Sequence, residues 1–275
     1  MLFGYGGVLG SDVPSAALAL TTFAAFHYWL SSNDDSWTFR VGVLLGLAQL
    51  TKFTLLIFYP LTLAIFLTHR LTRSVRRETF GRSAIKLFVL IYLPSILILN
   101  AGYLFKGTMT PLKDYAFHSQ LFSGVETGVG NRFADAWLGA LPVPLPRDYL
   151  LGIDCQRLDF ETGLTGSYFR GEQREHGWFN YYLCALGIKT PTGTLALLLI
   201  AIILALSSAR FRTSWRDELI LWLPGLALIL FVSSQTGFSI HSRYVLPALP
   251  FFIVAVSRMV VSFHKALPPV RAAAS

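Results

Sequence analysis

Three charged residues sit where charge is costly, and they are the best candidates for chemistry in this sequence. Lys52 interrupts the apolar run Val41 to Thr68, Arg243 directly precedes the run Tyr244 to Phe263, and Asp12 directly precedes the run that opens at Pro14. An ammonium or guanidinium group in a low-dielectric surrounding stabilises an oxyanion, such as a departing phosphate, more than it would in water. A carboxylate within hydrogen-bond reach of a hydroxyl can take its proton. Each residue also has a plain structural reading. Lys52 suits a side chain snorkelling at a helix end. Arg243 suits an interface anchor beside Tyr244. Ser11 or Asp12, with Pro14 in the first turn, is ordinary helix initiation. A second polar group, Glu172, Glu175 and His176, stands just before the aromatics Trp178, Tyr181 and Tyr182. Their ring faces suit stacking, and the plain reading is a solvated loop. Lys189 follows, with an anchoring role at the start of the next apolar run as its alternative.

The elements that must carry these residues are apolar helices. Of the 275 residues, 53% are hydrophobic and 14% are charged, too few charges to clothe a soluble domain of this size. The apolar residues fall in runs: Pro14 to Leu30, Val41 to Thr68, Leu87 to Phe105, Thr192 to Ala209, Leu219 to Ser234 and Tyr244 to Phe263. A bilayer core of ~30 Å needs about 20 such residues per helical crossing. The net charge of +8 does not indicate a nucleic-acid partner. Arg70, Arg73, Arg76, Arg77, Arg82 and Lys86 fall together between two apolar runs, which is the pattern of a cytoplasmic loop that also attracts anionic headgroups.

That basic loop sets an orientation. Leu87 to Phe105 then leads outward, so 106–191 is expected outside, and Thr192 to Ala209 leads back to the basic stretch Arg210 to Arg216. The predicted organisation is membrane helices over 1–105, an extracytoplasmic loop region of mixed structure over 106–191, and membrane helices with a cytoplasmic tail over 192–275. The 28-residue run Val41 to Thr68 reads in two ways. One tilted helix puts Asp12 in the cytoplasm, and two short helices breaking at Lys52 put Asp12 and Lys52 outside. Gly42 and Gly46 make its first half a close-packing helix. Cys155 and Cys184 both fall outside, where a disulfide between them is one reading and two free thiols the other. The six histidines are scattered, with no pair at ligand spacing, so no metal or cofactor is expected. Asp34 and Asp35 are adjacent, on the cytoplasmic side. Met1 to Gly10 is too short to cross and reads as the end of a helix that begins earlier.

Four segments, in order, resemble one family. They are Ser11-Asp-Val-Pro14, Gly46-Leu-Ala-Gln-Leu-Thr-Lys-Phe53, Gly171-Glu-Gln-Arg-Glu-His-Gly-Trp-Phe-Asn-Tyr-Tyr182 with Lys189-Thr-Pro191, and His241-Ser-Arg-Tyr-Val-Leu-Pro247. Together they resemble membrane glycosyltransferases of the GT-C class, in particular bacterial relatives of dolichyl-phosphate-mannose–protein mannosyltransferases and lipid A aminoarabinose transferases. The resemblance implies that Asp12 and Lys52 lie outside, hence two short helices over Val41 to Thr68 and an all-α membrane protein of about seven transmembrane helices. It implies a polyprenyl-phosphate-linked sugar as donor, passed to an extracytoplasmic acceptor at a cell (plasma or inner) membrane. Lys52 and Arg243 would then bind the donor phosphate, Asp12 would serve as catalytic carboxylate, and Glu172, His176, Trp178 and Tyr182 would contact sugar or acceptor. Besides the donor, membrane lipids are the expected partners, with no nucleic acid. The family carries an acidic first outer loop that has no counterpart here, so the chain resembles the family without its amino-terminal part. Two other classes fit the same hydropathy. A transporter would show charges within spans and paired broken helices, and a non-catalytic membrane protein would bind a lipid-linked ligand without turning it over.

Overall fold

The computed structural model describes residues 10–32, 34–72, 77–163, 166–207, 214–235, 239 and 241–264. Residues 1–9, Arg73, Arg76, Arg210, Arg212, and the tail with Lys265 and Arg271 lie outside the described residues. The chain is mainly helical. Helix α1 is Asp12–Ser32, α2 is Asp35–Thr51, and a 3-10 turn over Phe53–Ile57 leads into α3, Phe58–Leu71. Helix α4, Arg77–Lys86, continues through a π-helical stretch, Leu87–Tyr92, into α5, Leu93–Gly102. Pro94, which has no amide proton to give to the helix ladder, stands just after that irregular turn.

Each break has a local cause. Helix α2 starts on Asp34, whose side chain accepts from the Ser36 amide at 2.9 Å, and stops where Lys52 turns extended (φ −162°, ψ 129°). The chain reverses there. Phe58 packs on Phe23 with ring centroids 4.8 Å apart, and Phe66 stacks on Trp29 at 5.9 Å, so α3 runs alongside α1 in the same direction. The break expected at Lys52 is therefore found. Gly42 and Gly46 are where α2 meets the π-helical stretch and the start of α5. A Cβ on Gly42 would come 2.7 Å from the Ile91 carbonyl oxygen, and one on Gly46 2.7 Å from that of Ser95. Only a hydrogen fits at either position, which lets the two backbones touch.

The segment after α5 folds over one end of this bundle. It holds the short α6, Gln120–Ser123, then α7, Arg147–Thr162, which ends on Gly163 in the left-handed region (φ 58°). A small antiparallel hairpin follows, β1 Ser167–Phe169 with β2 Glu172–Arg174. Its turn needs positive φ at Arg170 (54°) and at Gly171 (87°). Helix α8 is Tyr181–Lys189 and α9 is Thr192–Ser207. Helix α10, Trp215–Ser234, is capped by Ser214 Oγ on the Asp217 amide, and after a 3-10 stretch over Ser242–Ala248 the described chain ends with α11, Leu249–His264.

Contacts along the helices define two ends. Gly102 meets Leu50 and the tail of α10 meets α7, so the Asp12, Lys52, Gly102 and Ser234 termini share one end. Lys86 pairs with Asp35, His27 with Asp217, and Arg216 with Thr72 at the other. Among the described residues three helices are long and apolar enough to cross a membrane: Phe53–Leu71, Gly81–Gly102 and Trp215–Ser234. The pair Tyr181–Lys189 and Thr192–Leu204, bent by 113°, makes a fourth if counted as one span. Those apolar helices fit a multi-pass, membrane-associated protein. They are fewer than the about seven expected from the apolar runs. Helix α2 has 17 residues and falls short in length; the run Ser242–Ser257 is also short. Helix α1, though 21 residues long, carries Ser15, Thr21, Thr22 and His27. The expected loop 106–191 also ends too late, because its last residues form the apolar α8.

Candidate functional site

Lys52, Asp12 and Arg243 come together at one end of the bundle. The Lys52 Nζ donates to Asp12 Oδ1 at 2.7 Å and to the Arg243 carbonyl oxygen at 3.3 Å. Both side chains of the ion pair are almost fully covered, 11% exposed for Lys52 and 12% for Asp12. The ammonium also lies 5.3 Å from the Tyr244 ring centroid, and the Arg243 guanidinium 6.0 Å from it. Arg243 itself is exposed. Burial pulls Lys52 below the ordinary lysine range; Asp12 opposes that pull, and the neighbouring Arg243 adds to it. The pair is held because its carboxylate sits in the first turn of α1, where the helix end also favours negative charge. The Ser15 amide is satisfied by the Ser11 carbonyl at 2.9 Å, and the Asp12 carboxylate reaches across to Lys52 instead.

The backbone that presents Lys52 is braced by Gln49. Its Nε2 donates to the Leu55 carbonyl at 3.1 Å, closing the 3-10 turn, and its Oε1 accepts from the Tyr149 hydroxyl at 3.2 Å. Burial raises the Tyr149 phenol, which stays protonated and able to donate. Helix α7 can approach this closely because residue 152 is glycine. A Cβ there would lie 2.5 Å from the Phe53 ring.

A third cation meets the same short stretch. The Lys189 Nζ, at the end of α8, donates to the buried Ser242 Oγ at 3.2 Å. Lys52 and Lys189 thus both donate to the short stretch that carries Arg243, with Asp12 as the carboxylate paired to Lys52. Trp178 is tied to the approach of this stretch, since its amide donates to Ser239 Oγ at 3.1 Å, and the Ser239 amide donates to Ser167 Oγ at 2.7 Å.

The remaining expected contacts are placed differently. Glu172 lies on β2, exposed, with its carboxylate 2.6 Å from Arg174, whose guanidinium covers the Trp178 ring at 5.0 Å. His176 is exposed on the loop that follows. Tyr182 is 1% exposed and belongs to the aromatic core beside Tyr181. Its ring faces the protein interior and not a surface on which a sugar could stack. Cys155 on α7 and Cys184 on α8 are free thiols. Among the described residues no three His, Cys, Asp or Glu side chains gather as a metal site would require.

Next to the cations lies a cavity of about 210 Å³ that the apolar runs alone did not indicate. Its floor includes Phe53 and Leu56 from the turn after Lys52, and its walls include Phe160 of α7, Phe231 of α10 and Tyr244. Tyr244 is shared, with one part lining the cavity and its ring facing the Lys52 ammonium. An apolar hollow beside converging polar groups is the usual form of a small-ligand site. Comparison of the chain with protein-family models, with curated protein sequences and with solved structures gives no match.

Proposed function

We propose that this chain is a membrane glycosyltransferase-like protein that moves a sugar from a polyprenyl-phosphate donor to an extracytoplasmic acceptor. The observation that carries the reading is the meeting of Lys52, Arg243 and Asp12, three positions far apart in sequence, beside an apolar cavity. An anionic head at the cations and an apolar body in the cavity would together describe a lipid phosphate. In the reaction, the bond from the anomeric carbon to the phosphate oxygen breaks while one to the acceptor oxygen forms. Lys52 and Arg243 stabilise the charge left on the phosphate. Asp12 takes the acceptor's proton on Oδ2, since Oδ1 is engaged with Lys52. The transition state is oxocarbenium-like, as in other glycosyl transfers.

The topology belongs to this proposal. Counting one crossing each for α1, α2, α3, α4 with α5, α9, α10 and α11, the short helices included, gives the seven of this reading. Arg70, Arg82, Lys86 and Arg216 lie toward the end opposite Lys52, so that end faces the cytoplasm of a cell (plasma or inner) membrane and the Lys52 end faces outward.

The test is transfer from a polyprenyl-phosphate sugar by the chain expressed in membranes. Lys52→Ala and Arg243→Ala are expected to lower transfer on the order of a hundredfold, in line with loss of charge stabilisation at a leaving group. Unchanged transfer in both variants would remove them from the site. A second reading is favoured by one observation, that the Asp12 carboxylate is already neutralised by Lys52. A non-catalytic protein would bind the lipid phosphate through the same cations and show binding without turnover.

A further inference from the structure

The cavity contains one formally charged side chain among its described lining residues, Arg157 of α7. Its Nε donates to Glu161 Oε1 at 2.9 Å and its Nη1 to Gln235 Oε1, on α10, at 3.2 Å. The first bond is built on a firm support. Glu161 also accepts from the amides of Gln120 at 2.6 Å and Leu121 at 3.2 Å. About two turns earlier on the same helix, the fully buried Asp154 accepts from the His118 amide at 2.7 Å and the Ser119 amide at 3.1 Å. Helix α7 and residues 118–121 therefore form one braced unit, and Glu161 fixes the plane of the guanidinium. The second bond is of another kind. Gln235 offers a neutral amide oxygen, and an arginine fork binds a carboxylate or phosphate in two bonds about twice as strongly as a neutral acceptor. Of the five N–H donors on the fork, two are used by the described residues, which leaves others able to meet a ligand. An arginine held by a carboxylate on its own helix, and facing a replaceable amide across an apolar hollow, has the arrangement of an oriented anion contact.

We infer that Arg157 is a second oxyanion-recognition residue of this cavity, distinct from the Lys52 group, and that a phosphate- or carboxylate-bearing amphiphile displaces Gln235 from it. The inference rests on the reading of the cavity as an amphiphile site. Gln235 then competes with the ligand and holds the guanidinium in place while the cavity is empty.

The experiment measures binding of tetradecyl phosphate, tetradecanoate and the uncharged tetradecyl alcohol to the full chain in zwitterionic nanodiscs. Arg157→Gln is expected to weaken the anionic probes by tenfold or more, on the order expected for a charge-assisted hydrogen bond, and to leave the alcohol unchanged. Arg157→Lys keeps the charge but loses the fork, so it should recover part of the loss. Gln235→Ala is expected to bind the anions as tightly as the wild type or more tightly. Loss on both anionic arms supports a general oxyanion contact; loss on the phosphate arm alone assigns it to a lipid phosphate, and on the carboxylate arm alone to a fatty acid. An equal loss on all three probes, or a loss in Gln235→Ala matching that of Arg157→Gln, would show a strut between α7 and α10 and overturn the inference. Wild-type protein that binds no probe would sink the amphiphile reading itself, whereas intact binding indifferent to Arg157 would sink this inference alone.

Discussion

The two ends of the bundle each hold a hollow with a pair of titratable side chains at its edge, and they differ in burial and in the number of groups that converge. At the far end, a cavity of about 330 Å³ between α1, α10 and α11 is the larger of the two. Its polar pair is His27 and Asp217, 3.6 Å apart with side chains 42% and 41% exposed. At the near end the cavity is smaller, but Lys52 and Asp12 meet at 2.7 Å and are almost covered. Further groups converge there: the Arg243 carbonyl, the Tyr244 ring, and Lys189 on Ser242. At the far end Asp217 is engaged mainly in helix capping, with its amide and carboxylate both on Ser214 Oγ. Volume alone would favour the far cavity. Burial of charge and convergence from distant parts of the chain separate a candidate site from a gap between helices.

The largest effect that would test this contrast is at Asp12. Asp12→Asn leaves the Lys52 ammonium covered and without its counter-charge. Removing one partner of a buried pair costs about 3 kcal/mol or more, because the other charge stays in a poor solvent. A lowered thermal midpoint in detergent is the expected readout. The double variant Asp12→Asn with Lys52→Met should regain most of the loss in stability, as uncharged groups of similar size usually do, while binding of an anionic amphiphile, kept in Asp12→Asn, weakens once the Lys52 charge is gone. If Asp12→Asn melts like the wild type, the pair is effectively solvated and the two ends are alike.

A smaller effect is expected at Tyr149, which joins the segment after α5 to the bundle through Gln49. Tyr149→Phe keeps the ring against Phe53 and Tyr103 and removes only the hydroxyl. The Gln49 oxygen then loses a buried donor, which costs about 1 kcal/mol. Hydrogen exchange should quicken in the turn Phe53–Ile57, next to Lys52, with little change in α4 or α5. Uniform change across the chain would mean that the segment is not a separate layer docked on this end.

How much of this was readable beforehand differs along the chain. The close contact at Gly42 and Gly46 followed from a local rule, since glycines at helical spacing have few structural solutions, whereas the break at Lys52 was one of two readings the local residues left open and only a resemblance chose it. The grouping of Asp12, Lys52 and Arg243 was expected only through a resemblance, because nothing in local sequence states that residues 40 and 191 positions apart will touch. Gln49 and Arg157 gave no signal of their own. A glutamine inside an apolar helix and an arginine four residues before a glutamate are both ordinary helix features, and their roles appear only when α7 lies across the turn after Lys52. Tyr182 shows the opposite failure. An aromatic beside polar loop residues reads as a surface, yet Tyr182 lies in the first turn of α8, where residues share a face at a spacing of three or four, and its side faces the core.

The smallest expected effect is at the far end, and it is the sharpest check on the contrast because it predicts almost nothing. Asp217→Asn retains an oxygen able to accept from Ser214, so the start of α10 keeps its cap. What is lost is the attraction to His27, across 3.6 Å and with both groups more than two-fifths exposed. Pairs of that kind contribute about 0.5 kcal/mol or less, screened by water and salt. The thermal midpoint of Asp217→Asn should therefore stay close to that of the wild type, and so should binding of an anionic amphiphile at the Lys52 end. A loss of binding in Asp217→Asn equal to that in Lys52→Ala would place both hollows in one functional path through the bundle, and burial would no longer distinguish them.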